Sequence, residues 1–185
     1  MTHRLQLADA EPGHAPLIRS WADTPLNGWF WSGHDFGNPI DHTRIARHIG
    51  HALAYPDHRC LLATLNTTPV GYAETTTHHE NHWAYLGHII IDPARRHQGL
   101  GRRLVETLCE TIFTDPDTHR VELGVDQGNH TALRCYRSAG FRIEGALRER
   151  HWWDNQPKDL LTMGLLRPEW ETRRQNTTQP KGTPK

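Results

Sequence analysis

The chain has 185 residues, enough for one domain with a sizeable core and a short tail. Its 21 Lys and Arg balance 21 Asp and Glu, so no net field recruits nucleic acid or an anionic membrane, although 15 histidines make the charge sensitive to mild acidification. Cys60, Cys109 and Cys135 form neither a disulfide framework nor a CxxC metal knuckle, and the N-terminal residues hold no long apolar run, so a cytoplasmic protein without a membrane span is expected.

Leu5 and Leu7 alternate with polar neighbours and predict a short first strand. Leu17, Ile18 and Trp21 suit a first helix with Pro16 in its opening turn. Residues 23–40 are rich in Gly, Pro and Asn and read as a long loop carrying Trp29, Phe30 and Trp31. Asp41 is expected to cap a second helix that aligns Ile45, Ile49, Ala52 and Leu53 on one face. Strands near 59–65 and 70–76 flank the turn-prone Asn66-Thr67-Thr68-Pro69. The run His78-His79-Glu80-Asn81-His82 then falls between strands. It lacks HExxH spacing and a helix to carry it, so it reads as a solvated turn, and no metal is expected.

Residues 84–91 predict the next strand, which runs through Asp92-Pro93 into a basic, glycine-containing loop. Leu100, Leu104, Val105, Leu108 and Ile112 recur at helical spacing, so a helix is expected to about Phe113. Glycines at 99 and 101 let backbone approach an anion closely, and the helix start adds unpaired amides and the positive dipole end. Val121, Leu123 and Val125 alternate as a strand, and a helix over 130–139 stops at Gly140. Residues 141–150 and 160–166 predict a final antiparallel pair. The domain is expected to span 1–170, with a polar, aperiodic and disordered tail over 171–185.

The segment Arg96-His97-Gln98-Gly99-Leu100-Gly101 resembles the R/Q-x-x-G-x-G/A motif of the GCN5-related N-acetyltransferases, the GNAT superfamily. Leu86 to Pro93 is similar to that family's fourth strand, and Asn129-x2-Ala132-x3-Tyr136-x3-Gly140-Phe141 to its second cofactor-contacting helix. The likeness covers roughly residues 4–170. It implies a single α/β domain: a mixed central sheet of about six to seven strands, with strands four and five splayed, flanked by about four helices. It also implies acetyl-coenzyme A as co-substrate, without a metal. The pyrophosphate would lie on Arg96, His97, Gln98, Gly99, Leu100, Gly101 and Arg102. The pantetheine arm would pair with the backbone of Ile89, Ile90 and Ile91, and Asn129 would also touch the coenzyme. Tyr136 would protonate the departing thiolate.

Several family members carry a glutamate near the start of strand four, where this chain has Trp83-Ala84-Tyr85. Glu74 and His88 are then the nearest candidates for the general base, directly or through a water chain. In the resembled fold, the segments holding Trp29, Phe30, Trp31, Trp152 and Trp153 border the acceptor side. These five aromatics are expected to wall a pocket for a cationic or ring-bearing amine; a polyamine calls for a denser acidic lining than those segments carry. Phe141-x2-Glu144-Gly145-x-Leu147-Arg148-Glu149 resembles the branch that includes ribosomal-protein N-terminal, polyamine and antibiotic acetyltransferases. The expected function is direct acetylation of a primary amine on a small-molecule acceptor. A protein N-terminus is the alternative acceptor, and a non-catalytic acyl-coenzyme A sensor the alternative class. No nucleic-acid or membrane partner is expected, and a homodimer is among the open assembly states. A dinucleotide-dependent oxidoreductase is excluded, because no G-x-G-x-x-G opens a first βαβ unit.

Overall fold

Apolar alternation and three strongly amphipathic helices build one α/β unit in the computed structural model, which describes residues 5–178. In chain order the elements are β1 (Gln6–Asp9), α1 (Ala15–Trp21), α2 (Pro25–Ser32), α3 (His42–Ala52), β2 (His58–Leu65), β3 (Thr68–His78), β4 (Trp83–Ile91), α4 (Leu100–Ile112), β5 (Arg120–Asp126), α5 (His130–Ala139), β6 (Arg142–Trp153), β7 (Gln156–Leu166) and α6 (Arg167–Thr178). The strands form one seven-stranded sheet in the order β1-β2-β3-β4-β5-β7-β6. Every neighbouring pair is antiparallel except β4 and β5, which run parallel. The expected GNAT-like architecture is therefore present, with six α-helices among the described residues rather than four.

Two apolar layers sandwich the sheet. On one face Leu100, Leu104, Val105 and Leu108 of α4 pack with Leu133 and Tyr136 of α5. On the other, Ile18 and Trp21 of α1, Trp31 of α2, and Ile45 and Ile49 of α3 cover Leu62, Tyr72 and Ile90. No helix of the described residues is long and apolar enough to cross a membrane.

Two segments depart from the sequence reading. The supposed loop over 23–40 contains α2, opened by Thr24, whose hydroxyl accepts from the Asn27 amide, and by Pro25 in the first turn. Both are ordinary helix-start signals, masked by the surrounding Gly, Pro and Asn. At the C-terminus α6 continues to Thr178, past the expected boundary at 170, and residues 179–185 lie outside the described residues.

The sheet opens at one place. Strand β4 pairs with β5 only from Trp83 to Leu86, opposite Arg120 to Leu123. Beyond that point β5 continues against β7 to Asp126, while β4 keeps only β3. The Gly124 amide, facing the resulting fork, donates instead to the Tyr85 hydroxyl at 3.1 Å. A bulge deepens the separation: Tyr72 pairs with Ile90 and Glu74 with Gly87, so β4 carries an extra residue in between. His88 sits in that bulge at φ +45°, an uncommon left-handed conformation for a residue with a side chain.

Candidate active site

The loop after β4 delivers chain to the start of α4. Gly99 precedes that helix at φ +75°, and no side chain caps the first amides of α4. A Cβ at Gly99 would meet nothing within 4 Å, so glycine is needed for the turn and the surface above it is open. Gly101 has a different job. A Cβ there would lie 3.4 Å from Cys135 Sγ on α5, so this glycine permits close packing of α4 on α5.

The charged residues expected around the phosphate loop are partly engaged elsewhere. Arg96 turns back into the protein, binding Asp23 at 3.0 Å and the carbonyls of Trp21 and Ile91 at 2.7 and 3.2 Å. It fastens the loop to the α1–α2 junction. Arg102 pairs with Glu106 one turn along α4. His97 and Gln98 are exposed, and Leu100 is buried beneath the helix start. Asn129 caps α5 by accepting from the Ala132 amide. Tyr136 is buried on α5, and among the described residues its hydroxyl has no hydrogen-bond partner. Burial first, then Cys135 and Tyr85 nearby, push its pKa up, so the phenol keeps its proton at ordinary pH.

Beneath the bulge lies a polar cluster drawn from four elements. Glu74 of β3 is only 4% exposed. Its Oε2 accepts from His48 Nε2 of α3 at 2.9 Å and from His58 Nε2 of β2 at 3.0 Å. Its Oε1 accepts from the Tyr72 hydroxyl at 2.6 Å. Burial works to protonate Glu74, but the bonds from His48 and His58 and the adjacent His88 outweigh it and hold the carboxyl far below its usual range. His88 Nδ1 lies 3.0 Å from the same Oε2 without the alignment of a hydrogen bond. His88 Nε2 reaches Asp35 at 3.1 Å. Burial alone would lower the His88 pKa; the two carboxylates reverse this and raise it to about 9. Of the two candidate bases, Glu74 is sealed by its donors, whereas His88 sits at the mouth of the cluster.

The five aromatics divide. Trp29 and Trp153 stack with ring centres 5.0 Å apart, and with Phe30 they line a cavity of ≈ 600 Å³. Trp31 instead turns inward, donating to the His88 carbonyl at 2.7 Å and packing on Phe36. Trp152 is 59% exposed and lies outside the cavity lining, although its carbonyl bonds His34. Three of the five thus line this cavity, and Trp31 braces the bulge from behind. The reason is helical: on α2 Trp31 stands about 200° around the axis from Trp29 and so faces away from the cavity. Asp126, Asp154 and Asp159 also line the cavity, against one lysine, Lys158. Asp154 directly follows the Trp152-Trp153 pair, whereas Asp126 and Asp159 escaped sequence reading because they come from the end of β5 and from β7. The Trp29 indole donates to Asp126 at 3.3 Å.

A family model described as acetyltransferase (GNAT) family matches residues 21–141, a stretch holding the fork, the α4 start and α5. The chain belongs to the GNAT acetyltransferase family. An aminoglycoside N(6')-acetyltransferase type 1 of Klebsiella pneumoniae is 25% identical over 128 residues, covering 63% of this chain and 64% of that protein. The match thus spans slightly less than two thirds of that relative. A spermidine N(1)-acetyltransferase of Escherichia coli (strain K12) is 28% identical over 82 residues, 44% of each chain. Among solved structures, the spermidine N-acetyltransferase of Vibrio cholerae in complex with CoA and spermine superposes with TM-score 0.77 at 20% identity, over 91% of this GNAT chain and 98% of the other. A GNAT acetyltransferase from Streptococcus pneumoniae gives TM-score 0.68 at 25% identity, over 88% and 99%.

Proposed function

We propose that this GNAT protein transfers an acetyl group from acetyl-coenzyme A directly to a primary amine of a small, multiply cationic molecule. One arrangement carries the reading: a single helix, α2, joins the reacting end of the fork to an acidic aromatic cavity. Trp31 on α2 braces the His88 bulge, while Trp29 and Phe30 on the same helix line the cavity. The aromatic faces and three aspartates suit a cation-rich acceptor, which a protein N-terminus with a single charge would use poorly. The aminoglycoside and spermidine relatives support the small-molecule side of the branch.

In this reading the coenzyme lies along the unpaired edge of β4 at Ile89 to Ile91, with its pyrophosphate over the α4 amides. His88, in the neutral fraction that grows as pH rises toward 9, takes a proton from the acceptor amine as nitrogen attacks the thioester carbonyl. Collapse of the tetrahedral adduct expels the thiolate, and the Tyr136 hydroxyl supplies its proton.

Three outcomes follow from these roles. Gly99→Ala strains the left-handed turn and crowds the anion site, so acetyl-coenzyme A affinity by calorimetry falls about 10–100-fold, the loss of one or two charge-assisted hydrogen bonds. Gly101→Val is the poorer probe, since it also presses on Cys135. Tyr136→Phe lowers kcat while leaving coenzyme affinity nearly unchanged, because the hydroxyl acts as the thiolate leaves; wild-type turnover in this variant would remove the general acid. Trp153→Ala raises the acceptor KM roughly two- to thirtyfold through lost stacking and cation–π contact, sparing the KM of acetyl-coenzyme A. A parallel loss in both substrates would mean that Trp153 supports only the fold.

A further inference from the structure

The cluster around Glu74 has a property that acetyl transfer does not require. His58 and Cys60 are two residues apart on β2 and so share one face. Glu74 lies directly opposite Cys60 in the β2–β3 ladder, and His48 descends on the same spot from α3. One ligand atom from each of His48, His58, Cys60 and Glu74 falls within 4.8 Å of all the others.

We propose that these four residues form a zinc site within the fold. Two imidazoles, a thiolate and a carboxylate are a tetrahedral donor set suited to Zn²⁺ and its probe Co²⁺. In such a site neighbouring donor atoms stand roughly 3.3–3.7 Å apart, given bonds of about 2.0–2.3 Å. The histidine nitrogens now lie 2.9 and 3.0 Å from Glu74 Oε2, so these two pairs need to open by a few tenths of an ångström, while any pair near the 4.8 Å limit closes by about 1 Å. Both histidines already aim Nε2, the atom that would bind, at the centre. Each would coordinate as the neutral tautomer protonated at Nδ1, and Cys60 would release its thiol proton to solvent. The metal charge would then be balanced by one thiolate and one carboxylate, leaving a neutral buried site.

A second observation points to the same centre. His88 Nδ1 is a buried polar atom without a hydrogen bond, yet it lies 3.0 Å from Glu74 Oε2. Three imidazole nitrogens therefore crowd one carboxylate oxygen. A cation that draws His48, His58 and that carboxylate onto itself relieves the crowding and frees the oxygen's neighbourhood for His88. Tyr72 remains bonded to Oε1 and orients the carboxylate, as outer partners of zinc ligands do. The entry path is short: the His48 and His58 side chains are 31% and 25% exposed, whereas Glu74 is sealed at 5%.

Zinc here occupies the support of the reaction centre and plays no part in the chemistry. If the proposed role of His88 holds, capture of Glu74 by zinc slows turnover and a chelator restores it. Binding itself is read without any activity, so the two ideas fail separately. The full chain, stripped with a chelator, is titrated with Co²⁺ and its absorption recorded. The expected result is one Co²⁺ per chain, with tetrahedral d–d bands, a thiolate-to-cobalt charge-transfer band, and displacement by Zn²⁺. Cys60→Ser abolishes the charge-transfer band, and His58→Gln weakens binding at least about tenfold, the loss of one ligand. Replacing His78, His79 and His82 together by Gln leaves the spectrum unchanged. A wild-type spectrum without tetrahedral or thiolate bands overturns the proposal, as does a signal that the hairpin replacement removes.

Discussion

Replacing His88 by Gln lowers kcat by about 10²–10⁴-fold with both substrates saturating, the range for loss of a positioned general base. The acetyl-coenzyme A KM changes little, since the coenzyme is expected to meet β4 through its backbone. Three features support this proposed role. The fork between β4 and β5 begins after Leu86, so position 88 is the second residue along the open edge. The bulge gives it a left-handed backbone and re-aims its ring toward β3. Asp35 holds the outer nitrogen at 3.1 Å and Trp31 fixes the carbonyl at 2.7 Å. Steady-state kinetics with an excess of acceptor is the check. Turnover at the wild-type level would return the base to a water chain or to the acceptor itself.

Glu74→Leu is the second large effect, and it falls on stability as well as on rate. The substitution leaves His48, His58 and Tyr72 facing a site without an acceptor, and it removes the charge beside His88. Breaking a buried ion pair by deleting one partner costs about 3–5 kcal/mol. For a chain of this size that corresponds to a melting temperature lower by roughly 6–20 °C. Tyr72→Phe is the comparison, since it removes one donor and leaves the carboxylate with its nitrogens, for a cost of about 0.5–1.5 kcal/mol. Calorimetric melting of the chelator-treated protein separates them. A Glu74→Leu variant as stable as the parent would mean that the cluster carries no net stabilisation.

How much of this was legible depends on how far apart the residues are in sequence. The turn at Gly99 and the helix after it occupy one continuous stretch, and the α4 stripe is regular, so both were readable. The order of strands and the α5 stop at Gly140 were readable for the same reason. The α2 helix was hidden because its start signals, Thr24 and Pro25, stand in a glycine- and asparagine-rich background. Arg96 shows a different limit: a basic residue in a glycine-containing loop looks free until its partner, Asp23, arrives from 73 residues earlier. The Glu74 cluster needs four elements to meet. Its one local trace was the alternation of His58 with Cys60 and of Tyr72 with Glu74, which marks shared faces but not what faces them. The acidic lining of the cavity was likewise split between the end of β5 and the β6–β7 turn.

The most direct test of the central claim is incubation of the purified chain with acetyl-coenzyme A and a panel of amines. The panel contains an aminoglycoside, spermidine, a monoamine and a peptide with a free N-terminus, with coenzyme thiol release and product mass both recorded. The expected result is stoichiometric release of thiol and gain of one acetyl group on a polycationic small molecule, with the monoamine and peptide much slower. Tight coenzyme binding without transfer to any amine, or preferential acetylation of the peptide, would contradict it.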